Sequence, residues 1–198
     1  EAIDTRRQLI MNSTKKGIPY EESVFEVLSQ FAAASGDEAV RTGQTWGLIK
    51  NCMKGDVTVA VNKLAARGHL VNVVFEAKSM SMSRDEWRKE LNIAMTNRAA
   101  EVSVAVVQFI EQMPSKSRVS IQDNQQLLIA FDPETDDPAV LGCIYNIAKA
   151  YAVSRSLEGT QVSFKVIQES LEHLQASLSD LETIEGAVRT ARKSLEKI

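Results

Sequence analysis

Three charged residues stand beside two predicted strands at spacings that could support phosphodiester chemistry. Asp56 opens the predicted strand Asp56–Val61, and Glu76 and Lys78 come directly after the predicted strand Leu70–Phe75. Because Glu76 and Lys78 are two residues apart, an extended chain directs both side chains to the same side. If the two strands form a hairpin, Asp56 comes close to Glu76, and two acids and a lysine converge at one edge of the sheet.

Paired carboxylates supply the oxygen ligands that Mg²⁺ prefers, with Mn²⁺ as a substitute. Such a metal polarises a phosphodiester and acidifies a bound water, while a lysine can orient that water or stabilise developing charge. Glu76-Ala77-Lys78 is the only Glu-x-Lys sequence in the chain and follows its most apolar strand, where charges are costly unless they serve a site. The alternative is a strand-end salt bridge between Glu76 and Lys78.

A predicted N-terminal helix could add a further acid. It begins near Gly17-Ile-Pro-Tyr20 and ends before Gly36-Asp37, and its apolar residues recur at helical spacing. At 100° per residue, Glu21 lies at the edge of the apolar stripe, whereas Glu22 and Glu26 point outward. Glu21 is therefore the acid expected to face the site, and the other two are expected to lie on a solvated face.

The remaining elements follow from periodicity and capping signals. A short strand is predicted at Glu38–Thr42, and the Gly-rich residues 43–55 are predicted to form a loop. The capping box Ser83-Arg-Asp-Glu86 predicts a helix that runs to about Ala100. Two more strands and a helix are predicted over 102–109, 126–131 and 139–156. This order indicates an α/β fold with a mixed sheet flanked by helices.

Several residues near the proposed site could contact nucleic acid. The candidates for phosphate contacts are the basic residues Lys54, Arg84, Arg88 and Arg98. Each of them could instead be an ordinary solvated charge. Trp46, in the Gly-rich loop, could stack on a base or could anchor the loop by packing.

Composition describes a folded protein and excludes several classes. The chain has 198 residues, a net charge of -3 and a pI near 5.5, which argues against a dedicated basic nucleic-acid binder. Residues 41–98 nevertheless hold 10 basic residues against 5 acidic ones, or +5. No apolar run approaches the ~20 residues of a membrane span, and the two cysteines form neither a zinc motif nor a disulfide framework. A cytoplasmic location is therefore expected.

The ends of the chain differ from its centre. Residues 1–16 are polar and are expected to be a linker or the end of an upstream helix, in a fragment of a longer protein. Residues 157–198 carry a heptad seam from Phe164 to Leu181 that resumes from Ile184 to Ile198. This pattern predicts a long coiled-coil-type helix that makes a homo-oligomer or pairs with an upstream helix. The alternative is a helix that only packs on the domain.

A predicted helix that carries an acid is followed along the chain by Gly55-Asp56 and then by Glu76-Ala77-Lys78. This order of motifs resembles the PD-(D/E)xK nuclease superfamily, with Gly55 in place of the proline of the nominal motif. Residues 17–156 also resemble uncharacterised bacterial coiled-coil proteins related to RmuC-type recombination proteins. The segments that carry this second resemblance are Gly17-Ile-Pro-Tyr-Glu21, Gly36-Asp37, Thr42-Gly43, Lys54-Gly55-Asp56, Val74-Phe-Glu-Ala-Lys78 and Asn97-Arg98-Ala99.

The resemblance implies a restriction-endonuclease-like fold and DNA cleavage that depends on Mg²⁺ or Mn²⁺. It makes Asp56 and Glu76 metal ligands, Lys78 the catalytic lysine and Glu21 an auxiliary acid. Two other functions stay open. One is a DNA-binding or scaffold protein that keeps the fold without catalysis, and the other is a purely structural coiled-coil assembly protein.

Overall fold

The computed structural model describes residues 17–115, 117–123 and 125–157. The predicted linker at 1–16 and all of the predicted tail helix except Leu157 lie outside these residues. The described ranges form an α/β fold with a six-stranded mixed sheet flanked by helices. Its elements are α1 (Gly17–Ala34), β1 (Glu38–Arg41), β2 (Val57–Ala60), β3 (Asn72–Lys78), α2 (Arg84–Arg98), β4 (Val102–Val107), a 3₁₀ turn (Ile110–Gln112), β5 (Val119–Asp123), β6 (Gln126–Ala130) and α3 (Pro138–Ser156).

The sheet has the strand order β1-β2-β3-β4-β6-β5. Strands β1, β2 and β3 pair antiparallel, β4 pairs parallel with both β3 and β6, and β5 pairs antiparallel with β6. The predicted hairpin between β2 and β3 is confirmed, with Thr58 opposite Val74. Strand β3 is central and buried from Val73 to Ala77, as its nearly continuous apolar sequence predicts.

Helices cover the sheet through matched apolar faces. Trp87 and Leu91 of α2 pack in one buried cluster with Ala105 and Val107 of β4. The predicted capping box begins α2, because Ser83 Oγ accepts from the Glu86 N–H while the Glu86 carboxylate accepts from the Ser83 N–H. Helices α1 and α3 contact each other as well as β3. Within the described ranges, no helix is long and apolar enough to cross a membrane.

Two details differ from the sequence prediction. Leu70, expected to begin the third strand, is 83% exposed, and the strand runs instead from Asn72 to Lys78. Glu76 and Lys78 therefore lie within β3, in register with Ala105 and Val107 of β4. The prediction also omitted β5, because five residues at a sheet edge carry only a brief alternation of apolar and polar side chains.

Candidate functional site

The carboxylates of Asp56 and Glu76 each accept a hydrogen bond from the backbone N–H of the residue next to the other acid. The Gly55 N–H donates to Glu76 Oε2 at 2.6 Å, and the Ala77 N–H donates to Asp56 Oδ2 at 2.7 Å. The Asp56 N–H also donates to the Phe75 carbonyl at 2.9 Å, which continues the β2–β3 pairing by one residue. The predicted convergence of the two acids therefore occurs, and neither carboxylate can rotate away without breaking a bond.

Lys78 extends this pair into a chain of alternating charges. Its Nζ lies 2.5 Å from Glu76 Oε1 and 3.5 Å from Glu90 Oε1, and the other Glu90 oxygen pairs with Lys54. The strand-end salt bridge between Glu76 and Lys78 is thus present. Glu90 was missed at the sequence level, although its position three residues after Trp87 puts it on the inward-facing side of α2. Lys54, predicted as a phosphate contact, is therefore already paired with an acid.

The surroundings of Asp56 disfavour its charged form and shift its pKa upward. Burial, with the nearby charges of Glu76 and Glu21, raises the pKa of Asp56 to about 7. Burial lowers the pKa of Lys78, but Glu76, Asp56 and Glu90 raise it by more, so Lys78 keeps its proton. The site therefore concentrates more negative charge than its lysine neutralises.

Glu21 reaches the same site from α1, as its helical phase predicts. It lines a cavity of about 180 Å³ together with Arg41, Gly43 and Asp56. Burial raises the pKa of Glu21, and the charge of Glu76 raises it further against the opposing effects of Lys78 and Arg41. Its neighbour Glu22 instead pairs with Arg41 at 2.6 Å, toward solvent as expected.

Gly55, which stands where the resemblance noted from the sequence expects a proline, occupies a position that proline could not adopt. Its φ of +93° is closed to proline, whose ring holds φ near −65°. Proline would also remove the N–H that Glu76 accepts. A Cβ at this position would stand 2.6 Å from Arg98 Cγ and 2.8 Å from Val74 Cγ2. Only glycine therefore fits both the backbone conformation and the packing.

Arg98 and Asn97 hold the loop that precedes Asp56. Arg98 Nη2 donates to the carbonyls of Thr42 and Thr45 at 2.6 and 2.8 Å, and its Nε donates to the Lys54 carbonyl at 2.9 Å. Asn97 is buried and its Nδ2 donates to the same Lys54 carbonyl at 2.8 Å. Arg98, predicted as a phosphate contact, thus directs its Nε and Nη2 at backbone carbonyls, and its Nη1 lies 3.5 Å from Thr45 Oγ1.

The other predicted nucleic-acid contacts lie on exposed surfaces. Arg84 and Arg88 are exposed on α2, four residues apart, where a phosphate could reach both. Trp46 is 67% exposed, so the alternative that it anchors its loop by packing is wrong. Of the predicted contacts, Arg84, Arg88 and Trp46 are therefore accessible. Lys54 and Arg98 instead pair with groups of the protein itself.

The donor chemistry of the acid pair fits a divalent cation. Asp56 Oδ1 lies beside Gly43, where a Cβ would stand 2.9 Å away, so the glycine leaves space next to that oxygen. Carboxylate oxygens carrying excess negative charge are the donors that Mg²⁺ and Mn²⁺ prefer. Within the described ranges no group of three His, Cys, Asp or Glu side chains is arranged to hold a metal. The site thus offers two carboxylate ligands, one of which also pairs with Lys78.

Comparisons with known proteins find no family model that matches the chain, and no curated protein or solved structure with significant similarity to it.

Proposed function

We propose that this chain is a divalent-metal-dependent DNA endonuclease domain with a restriction-endonuclease-like fold. The observation that supports the proposal most directly is the reciprocal pairing of Gly55-Asp56 with Glu76-Ala77, which sets two acids and Lys78 at the C-terminal end of the central strand β3. Placing three charged side chains around a central strand is costly, and such an arrangement is typical of a site that binds or transforms a ligand.

In this proposal Asp56 and Glu76 hold Mg²⁺ or Mn²⁺. When bound, the metal polarises the scissile phosphodiester and acidifies a water. Lys78, which keeps its proton because its pKa is raised, orients the attacking water through an ammonium N–H and stabilises the charge that develops on the phosphate. Glu21 lies on the cavity wall, and its raised pKa suits it to exchange a proton with water there.

Arg84 and Arg88 would contact the DNA backbone from α2. The proposal also includes a cytoplasmic location, with which the free thiols of Cys52 and Cys143 agree. It further includes a homo-oligomer formed through residues 157–198, for which the heptad seam is the support.

A second candidate is a DNA-binding or scaffold protein that keeps this fold without cutting. One observation favours it, since the Lys78 ammonium lies 2.5 Å from Glu76 Oε1 and would compete with a metal for that oxygen. In this alternative Asp56, Glu76 and Lys78 contribute to stability and surface charge rather than to hydrolysis.

The deciding experiment measures cleavage of supercoiled plasmid by the 198-residue chain with Mg²⁺, with Mn²⁺ and with EDTA. Wild type should nick or linearise the plasmid in either metal, and Asp56→Asn and Lys78→Met should each reduce the rate by about 10² or more. Glu26→Gln and Lys63→Met, which alter exposed charges elsewhere, serve as matched controls. Equal rates for wild type and both site variants would refute the nuclease assignment, and metal-independent DNA binding with no cleavage would support the second candidate.

A further inference from the structure

The loop between β1 and β2 combines an immobilised backbone with exposed apolar side chains. Residues on both sides of Trp46 are held in place, since the Thr45 N–H donates to the Thr42 carbonyl at 2.9 Å and the Gly47 N–H donates to the Cys52 carbonyl at 3.2 Å. Arg98 binds the Thr45 carbonyl from α2. Despite these restraints, Trp46 is 67% exposed.

An exposed indole offers a large flat apolar face and one N–H donor, and for this reason tryptophan is enriched at binding interfaces. Leu48 and Met53 of the same loop are also exposed. The loop therefore presents an apolar surface on a backbone that is already held by hydrogen bonds. Binding of a ligand there would cost little conformational entropy of the loop.

The surroundings of Trp46 indicate the chemistry of its partner. Gly43, Gln44 and Thr45, immediately before Trp46, line the cavity that contains Asp56. Residues 41–55 contain Arg41, Lys50 and Lys54 but no Asp or Glu. Arg41 pairs with Glu22 and Lys54 with Glu90, and Lys50 is an exposed cation of this segment. A lysine four residues from an accessible aromatic ring matches a ligand that has phosphates and flat π-faces.

We propose that Trp46 stacks on an unpaired nucleobase of a DNA strand whose backbone passes the Asp56 cavity. This proposal rests on the proposed DNA substrate and extends it, since stacking on a base face requires a single-stranded, frayed or flipped nucleotide. It assigns the β1–β2 loop to recognising an open strand, without preference for a particular base, because every base has a π-face.

Binding in EDTA tests this proposal separately from cleavage. Fluorescence anisotropy compares a labelled single-stranded oligonucleotide with an abasic strand of the same length, which keeps the phosphates and lacks the bases. Trp46→Ala should weaken binding to the base-bearing strand by about five- to a hundredfold and leave binding to the abasic strand unchanged. Trp46→Phe should retain most of the affinity. Leu64→Ala, which removes a 90% exposed side chain on another loop, is the matched control.

Intrinsic fluorescence gives a second readout, because Trp87, the other tryptophan, is fully buried. Base-bearing strands should quench the emission of wild type and should not quench Trp46→Phe.

Equal binding of wild type and Trp46→Ala to the base-bearing strand would overturn the proposal even if plasmid cutting persists. A change in sedimented mass of Trp46→Ala without a change in DNA affinity would also overturn it, in favour of a protein partner. Trp46-dependent binding with no cleavage would retain the proposal and reject the nuclease.

Discussion

The backbone N–H of Gly55 lies 2.6 Å from Glu76 Oε2, and Gly55 adopts a φ of +93° to place it there. This bond links the residue before one acid of the site to the side chain of the other. The site therefore depends on a backbone conformation that glycine adopts far more readily than other residues. The geometry of the two acids therefore depends on a residue that carries no side chain.

Replacing Gly55 should be more damaging than replacing another glycine of similar conformation. Gly55→Ala meets both the strain of positive φ and close contact with Arg98 and Val74, and we expect a loss of about 2–4 kcal/mol in the free energy of unfolding. Gly68→Ala is the control, because Gly68 has a φ of +88° with no atom within 4 Å of a Cβ, and should cost about 1 kcal/mol. Urea denaturation measures both, and equal losses would contradict the packing argument.

Asp56→Asn should stabilise the metal-free protein in a pH-dependent way. Because the pKa of Asp56 is raised from 3.8 to about 7 in the folded state, protonation stabilises the fold below about pH 4, and that contribution is lost as the pH rises through 7. Asparagine can still accept from the Ala77 N–H and carries no charge. We expect its melting temperature to exceed that of wild type by on the order of 5 °C at pH 8, and by much less at pH 5.

Differential scanning fluorimetry in EDTA measures this difference. Asp85→Asn, at an exposed position in the first turn of α2, should show no such dependence on pH. If the difference in melting temperature between Asp56→Asn and wild type is the same at both pH values, the pKa of Asp56 is not raised in the folded state. With Mg²⁺ added, wild type should gain stability and Asp56→Asn should gain less, because binding to the native state raises its stability.

Glu90→Gln should impair catalysis through Lys78 rather than through DNA binding. Glu90 pairs with Lys78 and Lys54, and its loss leaves Glu76 as the acid that positions the lysine. We expect kcat for plasmid cleavage to fall by about tenfold with KM nearly unchanged. Asp85→Asn on the same helix is the control. A lower melting temperature with an unchanged kcat would show that Glu90 acts only on stability.

Arg98→Lys should fail to replace arginine, because a lysine ammonium cannot reproduce the planar set of donors that binds the loop carbonyls. We expect a loss of about 2–4 kcal/mol in unfolding free energy and faster hydrogen exchange for amides of residues 42–54. Arg84→Ala and Arg88→Ala should instead leave stability unchanged and each lower the salt dependence of DNA binding by about one counterion. An Arg98→Ala variant that matched them would restore Arg98 as a phosphate contact.

The sequence alone determined the parts of this protein that depend on local patterns. The capping box predicted the start of α2, and the apolar run before Glu76 predicted a central strand, because caps and periodicity act over a few residues. The proximity of Asp56, Glu76 and Lys78 and the orientation of Glu21 toward them are predictable in the same way, since strand alternation and helical phase fix the direction of a side chain.

The tertiary structure decided which charges are used inside the fold and which remain accessible. Glu90 lies in the site and pairs with Lys54, and Arg98 donates hydrogen bonds to the loop carbonyls. Trp46 was left exposed rather than buried. Helical phase indicates only that Glu90 faces inward. The loop partners of Glu90 and Arg98 depend on how α2 packs against a loop that lies 36 or more residues earlier in the chain. Charge partners over such separations are set by the three-dimensional arrangement of the elements, which local propensities do not encode.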